Sequence, residues 1–426
     1  MIRLLYTILL ILLAPFLLFG LYRKKEGKPS FGSRWKEHFG HTPELNAQER
    51  PLWIHAVSVG ESIAAIPIIK ALKEQFPELP ILVTTTTSTG AEQIARLGNL
   101  VEHRYMPLDF PFAIKRFLRK IHPRAFLIME TELWPNTLHI VSASGIPIRV
   151  INARLSEKSC LNYKKIQPVF NLLSRHLDLV LCQHVSDAER FKRLGLPDKK
   201  VAVTGSVKFD ITISPKIKKD ALRLRQDIGL DRPVWIAAST HAGEDEQIFA
   251  AHNTLLKHFP DALLIVVPRH PERFIPVTEL ARKNNLVTVS RTSHHPVTSE
   301  IQVYVGDTMG EMLLLIGAAD ICFMGGSLIG EKVGGHNVLE PAALGKATIT
   351  GCSYFNFHQI VNELQANNAC IIVADQFQLA ETLKQLFSNK QQRTELGENA
   401  EHYVENNRGA INNTIRYITE KEVEHA

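Results

Sequence analysis

The chain has little of what builds a metal centre, a disulfide framework or an ATP site. Its 426 residues include five cysteines, Cys160, Cys182, Cys322, Cys352 and Cys370, scattered with no C-x-x-C pair. That spacing argues against a cysteine zinc site and a disulfide scaffold, and it fits a reducing, cytoplasmic setting. No glycine-rich stretch ends in G-K-[ST] and none reads G-x-G-x-x-G, which argues against ATP and dinucleotides as ligands. Charge of one sign is also scarce: 49 Lys and Arg face 43 Asp and Glu, a net of +6. So mild an excess does not argue for nucleic acid; it suits a membrane surface or a phosphorylated substrate. At 45% hydrophobic and 22% charged the composition is ordinary for a globular protein, and the length suggests two domains with additions.

What the chain does have is one long apolar run at its start. Leu4 to Leu21 carries no charge, and Arg23, Lys24 and Lys25 follow at once. A cleaved signal carries its positive charge before the apolar run and small residues after it. Here most of the charge comes after, so residues 1–25 read as a membrane anchor. The positive-inside rule places the rest in the cytoplasm. The run is slightly short for a full span and Pro15 interrupts it, so spanning and lying in the interface both stay open. Glu26 to Glu49 reads as a tether and entry loop.

A rhythm of short β-branched runs and longer helical patterns follows. Strands are expected at Leu52–Val57, Ile81–Thr85, Ala125–Met129, Ile148–Ile151, Leu179–Leu181 and Val201–Val203. After a break at Ser206–Pro215 they resume at Val234–Ala238, Leu263–Val267, Val303–Val305, Ile321–Phe323, Ala347–Ile349 and Ile371–Val373. Helical patterns lie between, for example Ser62–Leu72, Phe112–Ile121, Lys164–His176 and Glu246–His258. Continuous apolar strands separated by helices imply parallel sheets covered on both faces. The expectation is an α/β chain of two Rossmann-like domains, 26–212 and 213–400, with an active site in a cleft between them. The stretch Glu395–Glu420 reads as helical and polar, and a last segment, 401–426, is expected to pack back on the first domain.

In doubly wound sheets ligands sit beyond the carboxyl ends of the strands, so the loops there should carry the chemistry. The first strand ends in His55-Ala-Val-Ser-Val-Gly-Glu61, with Ser58, Gly60 and Glu61 opening a helix. Glu61 is either a general base or a first-turn glutamate favoured by the helix dipole. A helix terminus lowers its pKa and burial raises it, and the residues alone do not decide between them. Thr84–Thr87 end the next strand and suit an N-cap or an acceptor contact. Met129-Glu-Thr-Glu-Leu-Trp-Pro-Asn136 puts two carboxylates, Glu130 and Glu132, at the working edge. Lys208, in Gly205-Ser-Val-Lys-Phe-Asp210, could neutralise an anion. In the second domain the loops carry Ser239 and His241, then Pro268 and Arg269, then Met309, Gly310 and Glu311. The glycine-rich Gly325–Pro341 stretch includes Gly326, Asn337, Val338, Leu339 and Glu340. Its glycines could wrap a phosphate, and Glu340 could hold a ribose diol. Lys115, Arg116, Arg119, Lys120 and Arg124 interleave with Phe110, Phe112 and Phe117, which suits an anionic membrane surface or a solvated helix face.

Taken together, the stretches HAVSVGE, METELWPN, TGSVKFD, ASTHAGEDE, VPRHPERF, GDTMGEM and GGSLIGEKVGGHNVLEP make the chain resemble the 3-deoxy-D-manno-octulosonic acid (Kdo) transferases of Gram-negative bacteria. They run in order from His55 to Pro341. The resemblance implies a GT-B fold and inverting transfer of Kdo from CMP-Kdo to a lipid A precursor, lipid IVA, in lipopolysaccharide core biosynthesis. It implies the cytoplasmic face of the inner membrane as the location, with the anionic lipid surface as a partner and neither a metal nor a cofactor beyond the donor. By motif, Glu61 would be the base, with Glu130 and Lys208 supporting the transition state. Pro268, Arg269, Met309, Gly310, Glu311 and Asn337 to Glu340 would form the CMP site, with Ser239 and His241 as further candidates there. Two rival readings remain: another GT-B enzyme, such as a lipid-disaccharide synthase or a nucleotide-sugar epimerase, and a membrane-anchored nucleotide-binding regulator without catalysis.

Overall fold

The computed structural model describes residues 2–23, 29–45 and 49–423. Lys24, Lys25, part of the expected tether (26–28 and 46–48) and the last three residues lie outside these. The chain divides into two compact units, Met1–Asp210 with Arg408–Ala426, and Ile211–Asn407.

The first unit is built on β1 (Leu52–Ala56), β2 (Ile81–Thr85), β3 (Glu102–Tyr105), β4 (Ala125–Met129), β5 (Ile148–Ala153), β6 (Leu179–Cys182) and β7 (Val201–Val203). Their order is β3-β2-β1-β4-β5-β6-β7, every pair parallel. Strand alternation divides the core in two. Leu52, Ile54 and Ala56 pack with Ala65, Ile68, Ile69 and Leu72 of the helix Val59–Gln75. Trp53 turns to the opposite face, stacks on Phe126 at 3.8 Å and packs with Phe117. Each such buried aromatic contributes on the order of 2–3 kcal/mol by area alone.

The second unit repeats the plan with β8 (Val234–Thr240), β9 (Leu263–Pro268), β10 (Thr288–Ser290), β11 (Val303–Val305), β12 (Ile321–Met324), β13 (Ala347–Gly351) and β14 (Ile371–Val373). The order is β10-β11-β9-β8-β12-β13-β14, again all parallel. In each sheet the winding reverses once, between β1 and β4 in the first and between β8 and β12 in the second. Those reversals open the crevices where such folds bind ligands.

Several expectations need correction. β3 and β10 were not anticipated; both lie at sheet edges, and only Tyr105 among their residues is fully buried. The helix expected over Lys164–His176 is two, Glu157–Lys165 and Gln167–Ser174, because Pro168 cannot donate to the preceding turn. The helix expected over Glu395–Glu420 is also two, Lys390–Asn406 and Ala410–Val423, parted at Gly409, whose φ is 99°. The later helix belongs to the first unit: Asp210 accepts the N–H groups of Gly409 and Ile411 at 2.6 Å, and Arg149 donates to the Ile418 carbonyl at 2.6 Å. The presumed tether contains a 3-10 helix, Gly32–Phe39. In the basic helix Pro111–Ile121, Phe117 faces the core and Phe110, just before it, is buried too, so Phe112 alone of the three is exposed.

The helix Ile2–Tyr22 is apolar enough to cross a membrane by length and composition, with a mean hydropathy of 2.6 and none of it buried.

Candidate active site

In the first unit the reversal point is lined by the turns after β1 and β4. Ser58 is extended (φ −109°, ψ 169°) and caps the helix Val59–Gln75, its hydroxyl accepting the Glu61 N–H at 3.3 Å. The Glu61 carboxylate reaches back, accepting the Val57 N–H at 2.8 Å and the Ser58 O–H at 2.9 Å. This reciprocal arrangement, a variant of the capping box, fixes the glutamate at the strand's end. Burial raises the Glu61 pKa from 4.5 to about 7, helped by repulsion from Glu130 and Glu132 and opposed by the two hydrogen bonds. Burial therefore wins over the helix terminus. A carboxylate poised near neutrality can accept a proton and release it again. Gly60 is open to solvent, where an added Cβ would meet only the Ser58 hydroxyl at 3.8 Å.

Glu130 stands at the end of β4 in the left-handed region, φ 57°, its N–H bonded to the Ile151 carbonyl at 3.0 Å. Asn152, at the end of adjacent β5, has φ 51° and accepts the Val207 N–H at 3.3 Å, which fixes the turn carrying Lys208. Two non-glycine residues in this region on neighbouring strand ends mark a backbone held against its preference. Burial raises the Glu130 carboxyl, while Lys208 and Arg154 pull it down. Burial lowers the Lys208 ammonium, while Glu130 holds it up. The three groups thus form one electrostatic cluster, joined through repulsion to Glu61. Glu132 lies close by, accepting the Trp134 indole N–H at 3.2 Å. Arg154 and Asn152 escaped the sequence reading, since neither falls in a distinctive motif. Asn136 proves to be buried and structural: Asp109 accepts its N–H at 3.0 Å and that of Thr137 at 2.7 Å.

In the second unit Ser239, one residue before the end of β8, is also left-handed at φ 58°. His241 stacks on His336 at 5.0 Å, their Nε2 atoms 2.8 Å apart, and meets His270 edge-on at 5.5 Å. Burial lowers the His336 pKa to about 4, with His241, Arg269 and His270 adding repulsion. Glu340 is raised by burial and pulled down by its Asn337 hydrogen bond (3.3 Å) and by Arg269. Arg269, His241, His270, His336, Asn337 and Glu340 are therefore brought together, with Arg269 exposed. Val338 and Leu339 are buried in the core, so only their main chain can serve a ligand. Pro268 closes β9 and is buried. Met309 is exposed, Gly310 has φ 85°, and Glu311 is engaged by Arg291 at 2.7 Å, a partner not anticipated from sequence.

At the start of the glycine-rich loop three amides already have a partner within the unit. The buried Glu244 carboxylate accepts the N–H groups of Gly326 (2.7 Å), Ser327 (2.9 Å) and Leu328 (3.0 Å), and of His241 (3.3 Å). These amides are thus satisfied internally and are not turned towards a phosphate. Gly326 is needed for close packing: an added Cβ would stand 2.9 Å from the His336 ring. Glu244 was missed because its partners lie some eighty residues away. Asp245 and Arg273, which pair beside it while Arg273 donates to the Thr240 carbonyl at 3.1 Å, were missed likewise.

Solved structures with this architecture define its class. A putative UDP-N-acetylglucosamine 2-epimerase from Listeria monocytogenes is 13% identical, covers 88% of this chain and 97% of its own, and has a TM-score of 0.57. A glycosyltransferase from Rickettsia africae is 17% identical, with coverages of 88% and 99% and a TM-score of 0.54. At such identities the likeness shows the fold, which is GT-B. The family described as 3-deoxy-D-manno-octulosonic-acid transferase matches residues 33–211. A 3-deoxy-D-manno-octulosonic acid transferase of Haemophilus influenzae is 38% identical over 412 residues, 96% of each chain. A probable mitochondrial one of Arabidopsis thaliana is 36% identical, covering 86% of this chain and 84% of its own. The chain belongs to the Kdo transferase family, the glycosyltransferases that add Kdo in lipopolysaccharide biosynthesis.

Proposed function

We propose that the enzyme transfers Kdo from CMP-Kdo to a lipid A precursor, lipid IVA, with inversion and with Glu61 as general base. A hydroxyl oxygen of the acceptor attacks the anomeric carbon of Kdo while its proton passes to the Glu61 carboxylate. The bond from that carbon to the CMP phosphate breaks, and CMP leaves as a phosphate monoester. Glu130 and Lys208 would stabilise the charge that develops at the reacting centre. Arg269, with Pro268, Asn337, the main chain of Val338 and Leu339, and Glu340, would hold CMP, with Ser239, His241 and the Met309–Glu311 turn beside it. Charge on the leaving phosphate is assigned to these protein groups, and no metal step is invoked. The apolar helix Ile2–Tyr22 would hold the enzyme on the cytoplasmic face of the inner membrane.

The observation that carries this reading is Glu61, buried at the winding reversal with its pKa lifted to about 7. In the test, Glu61→Ala abolishes transfer while calorimetry shows CMP still binding. Near-normal transfer by that variant would refute the base.

A further inference from the structure

The carboxyl end of β5 is irregular. Its register with β6 shifts between Val150 and Ala153: Val150 lies against Val180, and Ala153 against Cys182. β5 thus takes one more step than β6 over the same length, which is a bulge, and Asn152 takes up the extra residue in the left-handed region at φ 51°. A bulge re-aims the side chains around it. Arg154 is the first residue past the strand, and the main chain around it is pinned. The Asn152 carbonyl accepts the Gln183 side-chain amide at 2.9 Å, and the Ala153 carbonyl accepts the Gln183 main-chain N–H at 2.9 Å. The Leu155 N–H donates to buried Asp187 at 2.9 Å. The Arg154 carbonyl accepts the hydroxyl of Thr131, the residue between Glu130 and Glu132, which ties it to the turn after β4.

The side chain is the opposite case. Arg154 is exposed, and among the described residues its guanidinium makes no hydrogen bond and no ion pair. It nevertheless stands beside the candidate reacting centre, where its charge reaches both Glu130 and Lys208. Glu130 has Lys208 as its stronger cationic neighbour, and Glu132 accepts the Trp134 indole N–H at 3.2 Å. A fixed main chain under a planar head with unmatched donors is a pre-organised receptor for a carboxylate. The proposed reaction brings one to this place. Kdo is an ulosonic acid, and an ulosonic acid carries its carboxylate on the anomeric carbon, the atom under attack. The groups around that carbon therefore meet a negative charge besides the one on the phosphate. Glu61 and Glu130 would repel it, and Lys208 already faces Glu130.

We infer that Arg154 binds the carboxylate of the donor's Kdo unit and selects donors that carry one. Two parallel N–H groups of the guanidinium hold the two carboxylate oxygens, which fixes the orientation of the anomeric carbon as the acceptor oxygen approaches. A neutral sugar donor would leave the guanidinium unmatched and lose that contact. The inference rests on the transfer reaction proposed above and names a further donor-binding residue for it.

The test compares full-length Arg154→Ala and Arg154→Lys with the wild type in phosphatidylethanolamine–phosphatidylglycerol vesicles carrying the lipid A precursor. The KM for CMP-Kdo should rise about ten- to hundredfold in R154A, and less in R154K, which keeps the charge without the fork. The kcat should fall far less, because the contact is made in ground and transition states alike. Acceptor KM, calorimetric CMP affinity and thermal unfolding should stay at wild-type values, since CMP lacks the carboxylate and the guanidinium supports no part of the fold. Free Kdo should compete with CMP-Kdo on the wild type and do so about tenfold more weakly on R154A. A wild-type donor KM in R154A would overturn the inference and leave the reaction standing. A raised acceptor KM with an unchanged donor KM would overturn it too, and would give the guanidinium to an anionic group of the acceptor. No transfer by the wild-type protein would overturn both the reaction and the inference.

Discussion

Replacing Glu61 by Gln separates charge from shape. The amide keeps an acceptor for the Val57 N–H and a partner for the Ser58 hydroxyl, so the turn survives while the titrating carboxyl is lost. In the wild-type protein that carboxyl is raised from 4.5 to about 7. A group raised on folding contributes stability that is fully present below its unfolded pKa and is lost as pH rises through the folded one. The rise of about 2.5 units is worth ~3 kcal/mol, and ~2 kcal/mol after allowance for solvent access. Relative to the wild type, E61Q should therefore gain about 2 kcal/mol between pH 5 and pH 8, read by chemical denaturation of both proteins at the two values. Catalysis should move the opposite way. Wild-type kcat/KM should rise about tenfold per unit up to pH 7 and then level, and E61Q should lose about 10²–10⁴-fold on that plateau, with the gap narrowing as pH falls. A wild-type profile already flat from pH 5, or E61Q within tenfold of the wild type at pH 8, would refute the argument.

Other consequences follow from neighbouring groups. Lys208→Ala should lower kcat by about 10²–10³-fold, the range for losing one stabilising donor, while calorimetric CMP affinity stays within twofold. Glu244→Gln leaves fewer acceptors for the four amides it now satisfies; it should cost ~2 kcal/mol and weaken CMP binding through the loosened loop, seen as faster amide exchange at Gly326–Leu328. Asp109→Ala takes the acceptor from three donors of Asn136 and Thr137 and should cost ~3 kcal/mol in the unfolding transition of the first unit.

The central strands were legible because they are buried on both faces, and Ala125–Met129 and Leu263–Pro268 read as unbroken apolar runs. The edge strands β3 and β10 were not, since a strand with one open side needs no such run: Glu102-His-Arg and Thr288-Val-Ser carry no core signature. Helix breaks at Pro168 and Gly409 were written in single residues inside otherwise helical patterns. At the candidate site, position relative to strand ends was enough to nominate Glu61, Glu130 and Lys208. What burial does to Glu61 was not readable, because it depends on the whole fold packed above the turn. Nor was the partner of the loop's first amides readable, because the sequence does not say which distant carboxylate takes those of Gly326, Ser327 and Leu328, and here it is Glu244.

The most direct measurement is a mass spectrum of lipid IVA after incubation with the purified full-length protein and CMP-Kdo. The account predicts a product heavier by one or more Kdo units, absent with Glu61→Ala. Unchanged lipid with intact CMP-Kdo, from a protein shown to be folded, would contradict it.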